Sequence, residues 1–275
     1  MERDNKQRIV ILGASGFIGN AIYKELCSYF KTFGSYCTNT KPYKENQQFF
    51  QYNHEQDDIY EILKTLKPNV VISALRGNFN SQILAHQHIS EYIRLHNCRF
   101  IFLSSANVFD AYSKFPSYEK DKTLSESIYG RLKIKIENTI MLLPKNKWTI
   151  LRLPMVLGTN SPRIEEIKSN LKEKKTIEVF PNLIMNVTTD DKLSQQIHYI
   201  INREKTGIFH LGSTDLVHHD DFIKDLVTSM GDYKPVYKQV YTTNDERYLA
   251  VLPKHNILPK NLQIESPDVV EISIL

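Results

Sequence analysis

Several things are scarce in this sequence of 275 residues, and each shortage excludes a class of protein. There are three cysteines, Cys27, Cys37 and Cys98, an odd number with no Cys-x-x-Cys spacing. That argues against a disulfide framework and against a zinc site, and a reducing, cytoplasmic setting is expected. No apolar run is long enough for a membrane span, and the run that follows the polar stretch Met1 to Arg8 is too short for a signal-peptide core. Internal repeats and low-complexity segments are absent. Charge of one sign is scarce too: 35 Lys and Arg face 31 Asp and Glu, a net charge of +4. The densest basic cluster, Lys168 to Lys175, is interrupted by Glu173 and reads as the solvated face of a helix. Neither nucleic acid nor a membrane is expected as a partner.

What the chain does have begins at Arg8. A charge-free run, Ile9-Val10-Ile11-Leu12, feeds into Gly13-Ala14-Ser15-Gly16-Phe17-Ile18-Gly19. Ile18, Ile22, Leu26 and Tyr29 then fall on one helical stripe, so the stretch reads as strand, tight turn and helix. Gly13 allows the turn, Gly16 lets the backbone approach a pyrophosphate, and Gly19 lets the helix pack against the strand. The free N–H groups and positive dipole end of that helix suit phosphates. A plain strand–helix corner is the alternative. The flanking pattern instead favours a dinucleotide site built on Gly13, Ser15, Gly16, Phe17, Ile18 and Gly19.

Thr32 to Cys37 alternates as a second strand. Sites that prefer NAD usually end this strand in an acid that binds the ribose 2′-hydroxyl. Here the end reads Thr38-Asn39-Thr40-Lys41, and the first acid is Glu45. Thr38 with Lys41 would tolerate a 2′-phosphate, which favours NADP over NAD. Gln48 to Tyr52 suggests a third strand, followed by Asn53 and His54 where side chains commonly lie beside the adenine. Ile59, Ile62, Leu63 and Leu66 form a helical stripe ended by Pro68. Val70 to Leu75 reads as a buried strand that presents Ala74, Leu75 and Arg76 at its end. A helix over Ile83 to Leu95 and a strand over Phe100 to Leu103 follow. The alternation predicts an α/β fold with a doubly wound, Rossmann-type parallel sheet.

The strand at Phe100 runs into Ser104-Ser105-Ala106-Asn107, and ligands of open α/β sheets sit at the carboxyl ends of strands. Twenty-four residues beyond Ser105 stands Tyr129-Gly130-Arg131-Leu132-Lys133, opening a helix patterned by Ile128, Leu132, Ile136 and Ile140. Tyr and Lys at i and i+4 share a helix face. A free phenol, with a pKa near ~10, exchanges protons poorly at neutral pH. A neighbouring ammonium, helped by an oxidised nicotinamide, lowers that value. A serine hydroxyl beside the phenol can hold a substrate oxygen. The same Tyr-x-x-x-Lys spacing recurs at Tyr60–Lys64, which reads as a helix pair, and at Tyr118–Lys122, which lies in a polar loop. Tyr129 alone combines an upstream strand-end serine with a following helix.

These motifs, in this order, resemble the extended short-chain dehydrogenases/reductases, and within them the dTDP-4-dehydrorhamnose reductase-like branch. The resemblance is carried by Gly13 to Gly19, Pro68-Asn69-Val70-Val71-Ile72, Val108-Phe109-Asp110, Tyr129 to Lys133 and Leu151 to Gly158. Asn186 to Asp191 and Gly207 to Gly212 resemble later parts of that family. The match spans nearly the whole chain, strongest up to residue 158 and loose after 215. It implies an NAD(P)H site and reduction of the C4 ketone of a nucleotide-linked deoxysugar. Tyr129 would donate the proton, Lys133 would tune it and bind the nicotinamide ribose, and Ser105 would hold the ketone oxygen. Pro154 and Val156 would run beside the nicotinamide.

Two stretches depart from the branch. Ala106-Asn107 replaces its Asp-Tyr, and Leu75-Arg76-Gly77-Asn78-Phe79 replaces a run of small residues. Both fall at the expected substrate crevice, which makes Asn107 and Arg76 candidate substrate contacts, with Arg163 a third. The related dehydratases need an Asp-Glu pair that Ala106-Asn107 cannot supply. Sugar-nucleotide epimerases tend to carry Val-Tyr-Gly where this chain has Val108-Phe109-Asp110. A reductase is therefore preferred over either. The regulatory subunit of methionine adenosyltransferase, which shares the branch and binds NADP while serving a partner protein, is one alternative reading, and a sugar-nucleotide epimerase is the other.

Residues 1–158 are expected to form the cofactor domain, with 187–215 returning to its sheet, and 159–275 a smaller mixed α/β substrate lobe. His218-His219 beside Asp220-Asp221 reads as a helix start with acids in its first turn, and no metal is expected. Trp148 is expected to pack. A small molecule, a nucleotide sugar, is the expected partner, and a homodimer is compatible with the sequence.

Overall fold

The computed structural model describes residues 6–38, 42–112 and 114–274. β1 (Arg8–Leu12) leads through the glycine turn into α1 (Phe17–Leu26). β2 (Lys31–Tyr36), β3 (Phe49–Gln51), α2 (Ile59–Leu66), β4 (Val70–Ser73), α3 (Phe79–Leu95) and β5 (Arg99–Ser105) follow. A 3₁₀ turn over Ala106–Phe109 and a long loop lead to α4 (Ile128–Met141) and β6 (Trp148–Leu153). Next come β7 (Met155–Leu157), α5 (Pro162–Lys172), β8 (Thr176–Val179), β9 (Leu183–Met185) and β10 (Val187–Thr189). α6 (Asp190–Asn202), β11 (Gly207–His210), β12 (Val217–His218), α7 (His219–Ser229), β13 (Val236–Gln239), β14 (Arg247–Leu249) and α8 (Ser266–Ile272) complete the order.

Packing divides the chain into two units, each made of several stretches of the sequence. One comprises residues 1–104, 132–151 and 197–208; the other comprises 105–131, 152–196 and 209–275. The first is built on a seven-stranded sheet in the order β11-β6-β5-β4-β1-β2-β3. The ladders joining β3, β2, β1, β4 and β5 are all parallel. The strand order therefore reverses at β1, the switch point where doubly wound sheets bind ligands. Val10, Leu12, Val71, Phe100 and Phe102 pack with Leu63, Ile89, Ile93, Leu132, Ile136 and Ile140 of the covering helices. Of residues 187–215, it is β11 that joins this sheet, whereas β10 pairs with β7 in the second unit.

Local chemistry sets several element ends. The Asp58 carboxylate accepts the Tyr60 N–H at the start of α2, and Lys67 takes a left-handed conformation just before Pro68. α3 begins at Phe79, four residues ahead of the Ile83 that opens its apolar pattern, because Asn78 caps the Ser81 N–H. α1 closes at Leu26 with Cys27 as its cap. Tyr29 accordingly lies beyond the helix and 58% exposed, so the apolar stripe ends one turn earlier than its spacing suggests. Ile128 departs in the same way: it opens α4 but is 67% exposed, while Leu132, Ile136 and Ile140 are buried. Trp148 opens β6, buried, with its indole N–H on the Leu143 carbonyl.

The second unit holds three small sheets, β7 with β10, β12-β9-β14, and β8 with β13. Its core joins Leu157, Ile164, Ile167 and Val179 to Phe222, Ile223, Leu226 and Val269. No helix among the described residues is long and apolar enough to cross a membrane.

Candidate active site

The glycine turn is crowded where it must be and open where a ligand would need room. Gly13 has φ of 80°, and a Cβ there would lie 2.7 Å from the Ala74 carbonyl oxygen. A Cβ on Gly19 would lie 2.2 Å from the Gly13 carbonyl oxygen, so α1 packs on the turn only because that atom is missing. A Cβ on Gly16, by contrast, meets nothing nearer than 3.4 Å. The helix that opens at Phe17 and Ile18 has no side-chain cap at Gly16 and no acid in its first turn. Its N–H groups therefore suit an anion, and the residues present fit the pyrophosphate of a dinucleotide. β2 holds the turn in place, with the Gly13 N–H on Ser35 Oγ (2.8 Å) and the Ser15 N–H on the Ser35 carbonyl (3.2 Å).

Thr38 and Asn53 come together in a cleft of about 810 Å³ that Cys37, Gln51, Asp57 and Asp58 also line. The two acids are engaged there: Asp57 accepts the Asn53 N–H at 2.7 Å and Asp58 caps α2. His54 Nε2 is sealed from solvent without a hydrogen-bond partner among the described residues. Gly77 lies so near that a Cβ on it would sit 3.3 Å from that nitrogen. Ala74 continues the β4 ladder onto the Leu12 carbonyl, Leu75 is buried and Arg76 is exposed. Lys41 lies outside the described residues.

Ser105 ends β5 and caps the 3₁₀ turn behind it. Its hydroxyl donates to Asn107 Oδ1 at 2.9 Å and accepts the Asn107 N–H at 3.2 Å, so one amide fixes the serine rotamer. Tyr129 stands in the first turn of α4, 42% exposed. Gly130, the next residue, is pressed so close that a Cβ would lie 2.2 Å from the Asn107 carbonyl oxygen and 2.1 Å from Ser125 Oγ. That contact brings the tyrosine's end of the helix against the Ser105–Asn107 turn. The loop between them is clamped by Asp110, which accepts the Glu126 N–H at 2.7 Å. Burial would raise the Asp110 pKa, but hydroxyls of Ser127 and Ser125 and two backbone N–H groups outweigh it and hold it low.

Lys133, one helical turn past Tyr129, is buried. Its ammonium donates to the Leu103 carbonyl at 2.9 Å and stands 4.7 Å from the Phe102 ring centroid. Burial lowers its pKa to about 8, with Glu137 opposing and the Arg76 charge adding to the fall. At neutral pH it remains largely an ammonium. Glu137, next on the same helix face, accepts the Ser104 hydroxyl at 2.5 Å.

The remaining candidates belong to the second unit. Pro154 links β6 to β7, with its Cγ placed where a Cβ on Gly212 would approach to 2.9 Å, and Val156 pairs with Thr188. Arg163 lies on α5, bonded to Glu166 at 3.0 Å. The His218–Asp221 cluster is spent on structure. His219 Nδ1 accepts the Phe180 N–H, His218 Nδ1 donates to the Pro181 carbonyl, and Asp220 pairs with Lys224.

The sequence assigns no separate role to Gly130, Asp110 or Glu137, and it places the Ser104 hydroxyl with that of Ser105 toward the crevice, whereas in the structure Ser104 donates to Glu137. A signal existed for Glu137: an acid eight residues past Tyr129, set in the apolar stripe Leu132-Ile136-Ile140. For Gly130 the contact that demands a glycine lies 23 residues away, and no local pattern announces it.

A parallel sheet that switches at a glycine turn, with a strand-end serine and a Tyr-x-x-x-Lys helix, defines an extended short-chain dehydrogenase/reductase. The chain belongs to the family of the RmlD substrate binding domain, whose model matches residues 7–258. Among solved structures it is similar to a dTDP-4-dehydrorhamnose reductase from Yersinia enterocolitica, at a TM-score of 0.77 and 17% identity, covering 98% of this chain and 100% of that one. The Bacillus anthracis dTDP-4-dehydrorhamnose reductase in complex with NADP gives a TM-score of 0.77 at 19% identity, with 98% of each chain covered. A curated relative, methionine adenosyltransferase 2 subunit beta of Danio rerio, is 22% identical over 165 residues, 55% of this chain. That match spans about half, 49%, of the relative's own length.

Proposed function

We propose that this chain is an NADP(H)-dependent reductase of a carbonyl on a nucleotide-linked deoxysugar or a closely similar metabolite, acting in the cytoplasm. The observation that carries the reading is the contact at Gly130. It fixes the start of α4 against the Ser105–Asn107 turn, one residue from Tyr129 and one turn from a buried ammonium. In this reading Ser105, oriented by Asn107, holds the carbonyl oxygen. Tyr129 gives that oxygen its proton. Lys133 lowers the phenol's hold on the proton and binds the nicotinamide ribose. The glycine turn, with Gly13, Ser15 and Gly16 leading into α1, receives the pyrophosphate. Thr38, Lys41, Asn53 and His54 face the adenosine half, and Ala74, Leu75, Arg76, Pro154 and Val156 line the rest of the cofactor's path. Bound NADPH supplies the hydride. Asn107, Arg76 and Arg163 are the substrate contacts we assign.

The family membership supports this reading, as does the NADP named with the Bacillus anthracis structure. The test is NADPH oxidation with a dTDP-4-keto-6-deoxysugar by the wild type and by Tyr129→Phe. Turnover confined to the wild type, with NADPH affinity equal in both, supports the assignment. Full activity in the variant overturns it. The partial likeness to the methionine adenosyltransferase subunit supplies the competing outcome: tight NADPH binding, no turnover on any keto-sugar nucleotide, and co-purification of a stable partner.

A further inference from the structure

Lys133 meets a physical difficulty that its proposed role does not resolve. An amine taken out of water prefers to lose its proton, and a neutral lysine could neither attract the phenolate nor stabilise it. The surroundings of Lys133 therefore matter, and they can be taken element by element. β5 contributes the Leu103 carbonyl at 2.9 Å and the face of the Phe102 ring. α3 contributes His86, whose ring lies 5.0 Å from that same Phe102 ring. Its Nδ1 lies 2.6 Å from the Gln82 carbonyl, which only accepts, so Nδ1 carries the hydrogen and Nε2 accepts from Ser73 Oγ at 2.9 Å. The imidazole is thus neutral, and burial pushes its pKa to about 3. The segment after β4 contributes Arg76, a like charge that opposes protonation of the lysine. On α4 itself, one turn beyond Lys133, stands Glu137, the group of opposite charge that acts on it.

Glu137 is 1% exposed, so its oxygens must find hydrogen-bond partners within the protein. Ser104 meets that need: its hydroxyl, also buried, donates to Glu137 Oε1 at 2.5 Å. Ser104 and Ser105 are adjacent on a strand, where successive side chains point to opposite faces. One strand end therefore carries two hydroxyls with separate duties, Ser105 turned to Asn107 and Ser104 turned to the helix.

We propose that Glu137, fixed in place by the Ser104 hydroxyl one turn beyond Lys133, is a positioning residue that keeps the Lys133 ammonium charged, and so sets the alkaline limit of the Tyr129 chemistry. The inference rests on the reductase reading only for that last consequence; the electrostatic coupling stands apart from any substrate.

The test uses full-length protein labelled with 13C and 15N at lysine, with the Lys133 side-chain resonance assigned by its loss in Lys133→Met. In the wild type this signal titrates near 8. In Glu137→Gln the midpoint falls by about one to three pH units, as expected on losing an opposite charge at this range. Ser104→Ala leaves the carboxylate in place and moves the midpoint the same way by less, so it serves if the glutamine variant does not fold. The alkaline limb of kcat, measured from pH 6 to 10, moves with the NMR midpoint in each variant. A Lys133 midpoint unchanged in folded Glu137→Gln and in Ser104→Ala overturns the proposal. So does a variant whose kcat falls equally at every pH, since that marks a purely structural role. A wild type with no turnover would count against the reductase reading instead, and the NMR titration would still decide the coupling.

Discussion

Lys133 and Arg152 are both buried cations, and their surroundings differ in kind. Lys133, in the first unit, has one carbonyl, one aromatic face and a carboxylate one turn away, and its pKa is brought to about 8. Arg152, in the second unit, lies over the Phe109 ring at 4.8 Å and donates to the Glu119 carbonyl at 3.2 Å. The Glu119 carboxylate in turn gathers the N–H groups of Lys254, His255 and Asn256, tying two distant loops together. An arginine does not surrender its proton in a protein, whereas a buried lysine does so readily. The residue whose proton is fixed thus serves as a structural pin. The residue whose proton can be tuned follows by one helical turn the tyrosine proposed above as proton donor. The contrast is between charge used as a fastener and charge used as a control.

The comparison can be broken in order of expected effect. Tyr129→Phe should lower kcat by about 10²–10⁴-fold, the worth of a positioned general acid, while leaving the melting temperature and NADPH affinity unchanged. An equal loss of stability would blur the division between the two regions. Arg152→Ala should do the reverse. Stripping the donor from the Glu119 carbonyl and the packing from Phe109 should cost about 3–5 kcal/mol in urea unfolding, with turnover per folded molecule near wild type.

Acid should separate the regions by degree. Burial holds His210 and His219 to a pKa of about 4 and His86 to about 3, against 6.5 for a free histidine. Between pH 6.5 and 4 the unfolded chain therefore binds protons that the native state refuses, and stability falls as pH falls. Each such histidine contributes at most about 1.4 kcal/mol per pH unit. Urea midpoints at pH 7 and pH 5 should show the loss, and His210→Asn should flatten it. The sign reverses nowhere on the alkaline side: from about pH 8 to 10.5 the unfolded chain again binds the extra proton, at Lys133, and stability gains as pH rises. The smallest effect belongs to a third kind of cation. Lys41→Ala should weaken NADPH binding by about tenfold and leave NADH untouched, the ordinary worth of one charge-assisted contact to a phosphate. Equal weakening of both cofactors would remove Lys41 from the 2′-phosphate.

How much of this was legible beforehand depended on the range of the interaction. Gly13, Gly16 and Gly19 announce a turn because strand, glycines and helix are consecutive, and the geometry they require is local. Lys133 follows Tyr129 by one helical turn for the same reason. Tyr29 and Ile128 depart from expectation because a spacing of three or four says where a helix face points, not where the helix stops or what covers it. Glu137 stands in the apolar stripe of α4 as an anomaly; Lys133 lies one turn before it, but the hydroxyl that it accepts, Ser104, lies 33 residues upstream. The two packing units follow no local signal of this kind, since their boundaries in sequence fall inside β5, α4, β6, α6 and β11.

Residue order alone was enough to predict the parallel sheet and the glycine turn between strand and helix, and to single out Ser105, Tyr129 and Lys133 as candidates, because each rests on backbone periodicity and short spacings. Folding in three dimensions decided which serine of the adjacent pair faces the helix, why residue 130 must lack a side chain, and which charge stands next to the buried amine. Those outcomes depend on atoms brought within 3 Å from remote parts of the chain, where burial magnifies every unpaired charge.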